Sequence, residues 1–425
     1  MSENSRYLEG KKLLILGGGS DMVSVTKLAQ SMGCIVYIID YYDTLRSPAK
    51  LVADHYSDIS IFDTEIVVDY IKENGIEGVM TGYTDSYLMQ YLTICREAGL
   101  PCYGTERAFG IATDKMLFKR ACIESGVGVI PGTNAYDLET AIAFAERNGY
   151  PLMLKPADNS GSRGVIKCER AEELRRCFEY AMSFSRSNNI IIERYMDCNS
   201  IGVVYQLSKG NARLAAVCDR SVYQAKVDGS AIVSGTSYPS KYLDRYISEA
   251  DAVVKEMLAH NGFVEGMVSP MAFVDEKGFY MCEMCYRPSG GHHFTLINDQ
   301  NGIDGMALLI EFAVTGETKS YDPGREDPFF HDYCGMIHIM GVPNQIIASV
   351  EGLDAIAELP FVLEVCEELR AGQTIGKDGT TAQTLVSVWV KGKDQQEFEK
   401  NVKTVRSFLK VRDSSGNSLV ITPEE

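Results

Sequence analysis

Chemistry is first legible in residues 155–165, where Lys155 closes an apolar stretch and Pro156, Ala157, Asp158, Asn159, Ser160, Gly161, Ser162, Arg163 and Gly164 follow. A loop of small residues lets backbone N–H groups approach phosphate oxygens, because glycine removes side-chain obstruction and adopts positive φ. Lys155 would add a point charge to those phosphates. Taken by itself, the segment also reads as a surface hairpin. It is not a G-x-x-x-x-G-K-[ST] loop, since its lysine precedes the glycines and no helix follows directly. A second concentration is Glu283, Cys285 and Arg287, which alternate along an apolar strand running into Pro288, Ser289, Gly290, Gly291, His292 and His293. Period-2 alternation places these three on one face and Cys282 and Met284 on the other. Cys282 and Cys285 are then not expected to share a metal or a disulfide. His292 and His293 lack metal-ligand spacing. One of them suits a substrate carboxylate or proton transfer, with two structural histidines as the alternative.

The elements that must position these residues begin with a strand at 12–16, the turn Gly17, Gly18, Gly19, Ser20 and Asp21, and an amphipathic helix to Met32. A strand at 35–39 ending in Asp40, a helix at 65–74 and a strand at 78–80 continue the alternation. Such βαβ units predict a parallel sheet with helices on both faces. Gly17, Gly19 and Asp40 match part of a dinucleotide fingerprint, but Met22 stands at its third glycine, so a nicotinamide oxidoreductase is the weakest reading. Because ligands collect at the open end of a parallel sheet, Gly18 and Gly19 are candidate substrate-wall residues. A new unit starts near Asp114, with helices at 115–125 and 138–148, strands at 152–155 and 165–168, a helix at 171–184 and a strand at 190–193. A helix at 249–259 then precedes strands at 266–274 and 279–285, joined by a turn at 275–278. The last hundred residues carry a strand at 384–390 and a helix at 396–409 but no chemical signature, and read as a small α+β cap or interface unit.

A length of 425 residues predicts two or three packed units. The formal charge of −17 and pI near 4.9 argue against broad nucleic-acid or anionic-membrane surfaces, which need clustered positive charge. The sequence has no apolar run of about 20 residues, the length that crosses a bilayer. The 12 cysteines show no disulfide-framework spacing and no signal-like start precedes them, so a reducing, cytoplasmic setting is expected.

Over roughly residues 1–315 the chain resembles the ATP-grasp superfamily, with the motifs in the right order. Asp114-Lys115 is similar to the Asp-Lys pair that opens the family's ATP-binding part, and Lys155 with residues 160–164 to its second lysine and mobile loop. Residues 190–196, ending in Glu193, Arg194, Tyr195 and Met196, resemble its adenine hinge. Residues 281–291 resemble its strand-end E-x-N-x-R-x-G-G signature. The resemblance implies an α/β fold with an N-terminal parallel-sheet domain (1–112), an ATP-grasp domain (113–320, nucleotide lid about 125–197) and a C-terminal α+β unit (321–425). It implies ATP contacts from Lys115, Lys155, Ser160, Gly161, Ser162, Gly164, Glu193, Arg194, Tyr195 and Met196. It further implies Mg²⁺ on Glu283, a catalytic Arg287, and substrate contacts from Gly18, Gly19, Ser289, Gly290, His292 and His293. The activity implied is ATP-dependent joining of a small carboxylate to an amine through an acyl phosphate, releasing ADP and phosphate. A homodimer is the default assembly. The chain departs from the family at Ser200, where a ribose-binding glutamate is usual, at Cys285, where an asparagine is usual, and at Met271, where counting back from Glu283 expects a second acidic metal ligand. Those departures motivate the alternative of a nucleotide-binding regulatory or scaffold protein with little turnover.

Overall fold

The computed structural model describes residues 7–158, 164–224 and 231–421. Ser160, Gly161 and Ser162 of the predicted loop lie outside the described residues. Four short strands, β1 (Lys12–Leu16), β2 (Ile35–Ile39), β3 (His55–Ser57) and β4 (Gly78–Thr81), form the parallel sheet expected, in the order β3-β2-β1-β4. β1 and β4 are near-continuous buried apolar runs because helices cover both faces. One cover is Met22–Ser31; another, Gly305–Thr315, returns from much later in the chain, so that a side chain at Gly78 would collide with the backbone of Ala313. The strand order reverses between β1 and β4. Ligands collect at such a switch point, and there the turn at 17–21 lies against the segment after β4, a Cβ at Gly17 standing 3.2 Å from the Tyr87 ring.

A four-stranded antiparallel sheet follows: β5 (Gly132–Ala135), β6 (Leu152–Pro156), β7 (Ile166–Cys168) and β8 (Ile190–Arg194), in the order β5-β8-β6-β7. Helices Leu138–Asn148 and Leu174–Met182 pack on it around Phe144, Leu152, Leu154, Phe178 and Ile192. The sequence pattern led to β6, β7, β8 and both helices within a few residues, while β5 was not expected.

The centre of the molecule is an eight-stranded antiparallel sheet, β13-β12-β9-β10-β11-β14-β17-β16. It comprises β9 (Asn199–Ser208), β10 (Asn211–Gln224), β11 (Ala231–Tyr238), β12 (Gly266–Asp275), β13 (Gly278–Cys285), β14 (Tyr333–Met340), β16 (Val362–Glu367) and β17 (Thr384–Gly392). Two further strands, β15 (Ser349–Glu351) and β18 (Lys410–Arg412), pair at its margin. β9 and β10 join through Lys209 and Gly210, both at positive φ as a tight hairpin turn requires. The last hundred residues contribute β14, β16 and β17 to this same sheet, continuing it edge to edge.

Candidate active site

Asp114 accepts hydrogen bonds from the Met116 and Leu117 N–H groups at 2.8 and 3.0 Å, capping helix Lys115–Glu124. The cap fixes the first turn, and so places Lys115 against the central sheet. Burial pushes the Lys115 ammonium below its ordinary pKa; Glu283 opposes that shift and Lys155 adds to it. Lys119, one turn on, reaches 2.6 Å to Glu193, and Lys155 meets the other oxygen of Glu193, also at 2.6 Å. Burial works against the charges of Lys155 and Glu193, but their mutual attraction prevails: the carboxyl lies below its usual range and the ammonium above. A Cβ at Gly132 would stand 2.8 Å from the Lys119 ammonium, so glycine at the head of β5 leaves the corridor this triad occupies.

Along the hinge, the Arg194 and Tyr195 N–H groups donate to the Pro131 and Pro151 carbonyls, and the Arg194 side chain is exposed. The Tyr195 ring lies 4.1 Å from the Lys167 ammonium. Met196 enters an apolar slot with Ile130, Met271, Phe273, Tyr280 and Cys282. Gly164 has φ +78° and packs against Phe184 and Pro156, a glycine conformation at the end of the predicted loop.

β13 departs from simple alternation. Met271 pairs with Glu283 but Ala272 pairs with Met281, so Cys282 is an extra, bulged residue. Cys282 therefore shares the slot side with Met271 instead of facing away from Glu283, and the opposite-face argument about Cys282 and Cys285 does not hold. Both are free thiols. Beyond the bulge, Met284 and Tyr286 face the core and Arg287 the site. The Tyr286 hydroxyl donates to the Tyr103 carbonyl at 2.7 Å, pinning the strand end.

The Arg287 guanidinium forms a bidentate pair with Asp85, at 2.7 Å from Nε and 2.6 Å from Nη2. This ties the catalytic candidate to the C-terminal end of β4. Gly18 donates its N–H to Asp40 at 2.9 Å, and Asp40 also accepts from Ser47, so the acid that mimicked a ribose ligand holds the turn instead. Gly19 and Gly290 have open space where a Cβ would be. Ser289 accepts from the Gly291 N–H.

His292 is 2% exposed, sits at φ 42°, and meets Glu364 of β16 at 2.8 Å. Its ring stacks between Tyr83 and Trp389, with centroids 5.0 and 4.7 Å away. Trp389 donates to the Gly291 carbonyl at 2.8 Å. His293 lies 2.5 Å from the Tyr238 hydroxyl, and burial, then Arg220 and His292, push its pKa down to about 4. It is a neutral acceptor at pH 7 and brings no charge to a substrate carboxylate.

Sequence reasoning missed Asp85, Arg220, Glu364 and Trp389. Arg220 on β10 exerts its charge on Cys282, Cys285 and His293, and so faces the same space. The alternation of β9 and β10 was the available signal for Arg220. Nothing local marks the other three.

For a divalent cation, the described residues offer Glu283 at the end of the nucleotide slot. Cys285 is a poor donor for a hard ion; Met271 offers none, and Asp275 is spent on the Lys277 and Gly278 N–H groups. Mg²⁺ is commonly held by one or two carboxylates with phosphates and water completing its shell, so the donor set fits Mg²⁺ arriving with a nucleotide.

Residues 114–306 match the family described as carbamoyl-phosphate synthase L chain, ATP binding domain. The 2-oxoglutarate carboxylase small subunit of Hydrogenobacter thermophilus is 27% identical over 347 residues, 76% of this chain and 70% of that protein. The L-amino acid ligase of Bacillus licheniformis superposes with a TM-score of 0.79 at 15% identity, over 96% of this chain and 99% of that one. The biotin carboxylase domain dimer of the H. thermophilus 2-oxoglutarate carboxylase, a complex with MgADP, ADP and bicarbonate, gives 0.76 at 20% identity, over 97% and 91%. At these identities the structural likenesses establish the fold. The fold is the ATP-grasp fold, and residues 114–306 match its ATP-binding domain. No described helix is long and apolar enough to cross a membrane.

Proposed function

We propose that the protein joins a small carboxylate to an amine by way of an acyl phosphate, with the nucleotide between the four-stranded lid and the central sheet. The observation that carries this reading is the convergence of Lys115, Lys155 and Glu283: the Glu283 charge acts on both lysines, one at the head of a helix on the central sheet and one on the lid sheet, and Lys155 acts on Lys115. A carboxylate is a poor electrophile at neutral pH, and phosphorylation turns its oxygen into a leaving group. The protein's share of phosphoryl transfer is mainly positioning and charge neutralisation.

Lys115 and Lys155 neutralise the nucleotide phosphates, and the Met196 slot holds the adenine. Glu283 would hold Mg²⁺, which supplies further neutralisation of phosphate charge. Arg287, held in one orientation by Asp85, stabilises the negative charge on the transferring group. The carboxylate lies at the crevice between β1 and β4, and the segment from Ser289 to His293 forms its floor. The amine attacks the acyl carbon, the C–N bond forms, phosphate leaves, and the amine's proton passes to His292 with Glu364 behind it or to water. The domain limits 1–112, 113–320 and 321–425 are functional units in this reading, a substrate side, an ATP-binding part and a unit closing the substrate site. A homodimeric, cytoplasmic enzyme is part of the same proposal.

The test is incubation with Mg-ATP and paired panels of carboxylates and amines. ADP and phosphate released in equal amounts only with a matched pair, with hydroxylamine trapping a hydroxamate from the carboxylate alone, is the expected result. Release of AMP overturns the mechanism. Nothing in the comparisons favours a non-catalytic scaffold.

A further inference from the structure

One rung of the central sheet runs from Glu283 on β13 through Met271 on β12 and Gly202 on β9 to Cys218 on β10. Side chains along a rung share a face. Of these four residues only Glu283 offers an oxygen, since Met271 has none and Gly202 has no side chain. Arg220 lies two residues beyond Cys218, on the same face, opposite Thr236 of β11. Its stem does not stay on that neighbouring rung. A Cβ on Gly202 would stand 3.9 Å from the Arg220 Cδ, so the stem leans over the bare glycine, into the rung that holds Met271 and Glu283. The guanidinium charge accordingly acts on Cys282 and Cys285, on either side of Glu283.

Other cations of the site are already engaged. Lys155 pairs with Glu193 at 2.6 Å. All three nitrogens of Arg287 donate, Nε and Nη2 to Asp85 and Nη1 to the Pro288 carbonyl at 2.9 Å. Arg220 is half-buried and, among the described residues, has no ion-pair partner. The adjacent acid, Asp219, accepts from the Ser240 hydroxyl at 2.6 Å and from the Lys241 N–H at 3.3 Å. His293, on which the Arg220 charge also acts, is neutral and supplies no anion. A half-buried guanidinium without an anion is costly. Its planar fork matches the oxygens of a phosphoryl group two at a time, and it stays protonated throughout the working range of a protein.

A transferring phosphoryl group can be clamped between two divalent ions, which calls for ligands at two positions. The rung of Glu283 supplies one. We propose that Arg220 takes the part of a second ion: its guanidinium binds the γ-phosphoryl oxygens of the nucleotide beside Met271, and the site takes its nucleotide with a single divalent ion on Glu283. The ligase reading supplies the fate of that phosphoryl group, whose bond to ADP breaks as its bond to the carboxylate oxygen forms. The binding of the group to Arg220 does not depend on that fate. A cation fixed to β10 at this place meets the γ-phosphoryl group and not ADP, so it also separates substrate nucleotide from product.

The experiment is calorimetry on the full-length protein with MgADP and with the Mg²⁺ complex of β,γ-imido-ATP, together with a count of bound Mn²⁺ by electron paramagnetic resonance. One Mn²⁺ for each bound analogue is expected. Arg220→Met, which keeps the stem over Gly202, should weaken the analogue about tenfold or more and leave MgADP within about twofold. Arg220→Lys should recover part of the loss, because it restores the charge without the fork. In the double variant Arg220→Met with Met271→Asp, a second Mn²⁺ should bind and the affinity for the analogue should return. Two Mn²⁺ ions in the natural chain, equal weakening of MgADP and the analogue, or unchanged nucleotide binding with a raised KM for a carboxylate overturns the proposal. The ion count in the natural chain needs no variant, and it decides the matter if Arg220→Met does not fold. Binding of the analogue that depends on Arg220, with no amide formed from any carboxylate and amine, would sink the ligase reading alone. Amide formation with nucleotide affinity indifferent to Arg220 would sink the Arg220 assignment alone.

Discussion

Met271→Asp puts a second carboxylate where the chain has none, directly opposite Glu283 in the β12–β13 ladder. Directly opposed side chains have Cβ atoms about 5 Å apart. Two charges at that separation with an effective dielectric near 20 repel by about 3 kcal/mol. Met271 is partly buried in the slot with Met196 and Cys282, and losing about half of a full methionine burial adds roughly 1 kcal/mol. In EDTA the variant should therefore be less stable by about 4 kcal/mol. Met271→Asn shares the packing loss but not the repulsion, so the difference between the two isolates the charge term. Mg²⁺ with a non-hydrolysable ATP analogue should reverse the sign, because the added acid becomes a ligand. Thermal unfolding in EDTA and in Mg-nucleotide measures the reversal, and the Mg²⁺ needed for half-maximal ADP release should fall about tenfold, or about 1.4 kcal/mol. The reasoning fails if the Asp and Asn variants unfold alike in EDTA and share one Mg²⁺ dependence, since the carboxylate would then not face Glu283.

Glu193→Gln leaves two buried ammonium groups without their anion, and should cost about 3–5 kcal/mol in urea unfolding. Lys119→Met keeps the Lys155–Glu193 pair, costs about 1–3 kcal/mol, and should weaken MgADP severalfold in calorimetry because Glu193 then competes undivided for Lys155. Asp85→Asn removes the anion from the Arg287 fork. With Asp85 39% exposed its stability cost should be at most about 1 kcal/mol, while kcat for ADP release falls about 10–100-fold and KM for ATP barely moves. His293 and His338 are partly buried, and desolvation pushes their pKa values down to about 4 from an ordinary 6.5. Between those values the unfolded chain binds more protons, so the stability they contribute is complete above pH 6.5 and is lost as pH falls toward 4. At about 1.4 kcal/mol per pH unit each, the unfolding midpoint should drop steeply from pH 6.5 to 4.5. In His338→Gln the drop should be shallower by one proton; an unchanged slope would contradict a buried neutral imidazole.

The features legible in the sequence were those with local causes. Asp114-Lys115 could be read because a capping acid and the first helical residue are neighbours, and the Lys155 strand because glycines follow it. Counting back from Glu283 on the family's spacing reached Pro270 and Met271, and the hairpin pairs Met271 with Glu283. The error about the face of Cys282 came from a bulge. Cys282 has no sequence mark that distinguishes an extra residue from an alternating one, and the face it occupies is decided by pairing with β12. Asp85, Glu364 and Trp389 were out of reach for a different reason: their partners Arg287, His292 and Gly291 lie 202, 72 and 98 residues away. Each is an ordinary residue of its own strand or turn until the topology supplies its neighbour.

Those same long-range contacts change what the C-terminal residues are for. A cap without chemistry would leave the segment from Gly290 to His293 intact on its removal. Here Trp389 holds the Gly291 carbonyl and Glu364 holds His292 in a positive-φ conformation that a non-glycine residue adopts at a cost of about 1–3 kcal/mol. The strands β16 and β17, which extend the central sheet, thus supply the constraint that keeps this floor in place. On the proposed ligase reading, β16 contributes to substrate selection along with β13, and exchange of Glu364 should alter which substrate is accepted while leaving the nucleotide affinity proposed for Lys115, Lys155 and the Met196 slot as it was.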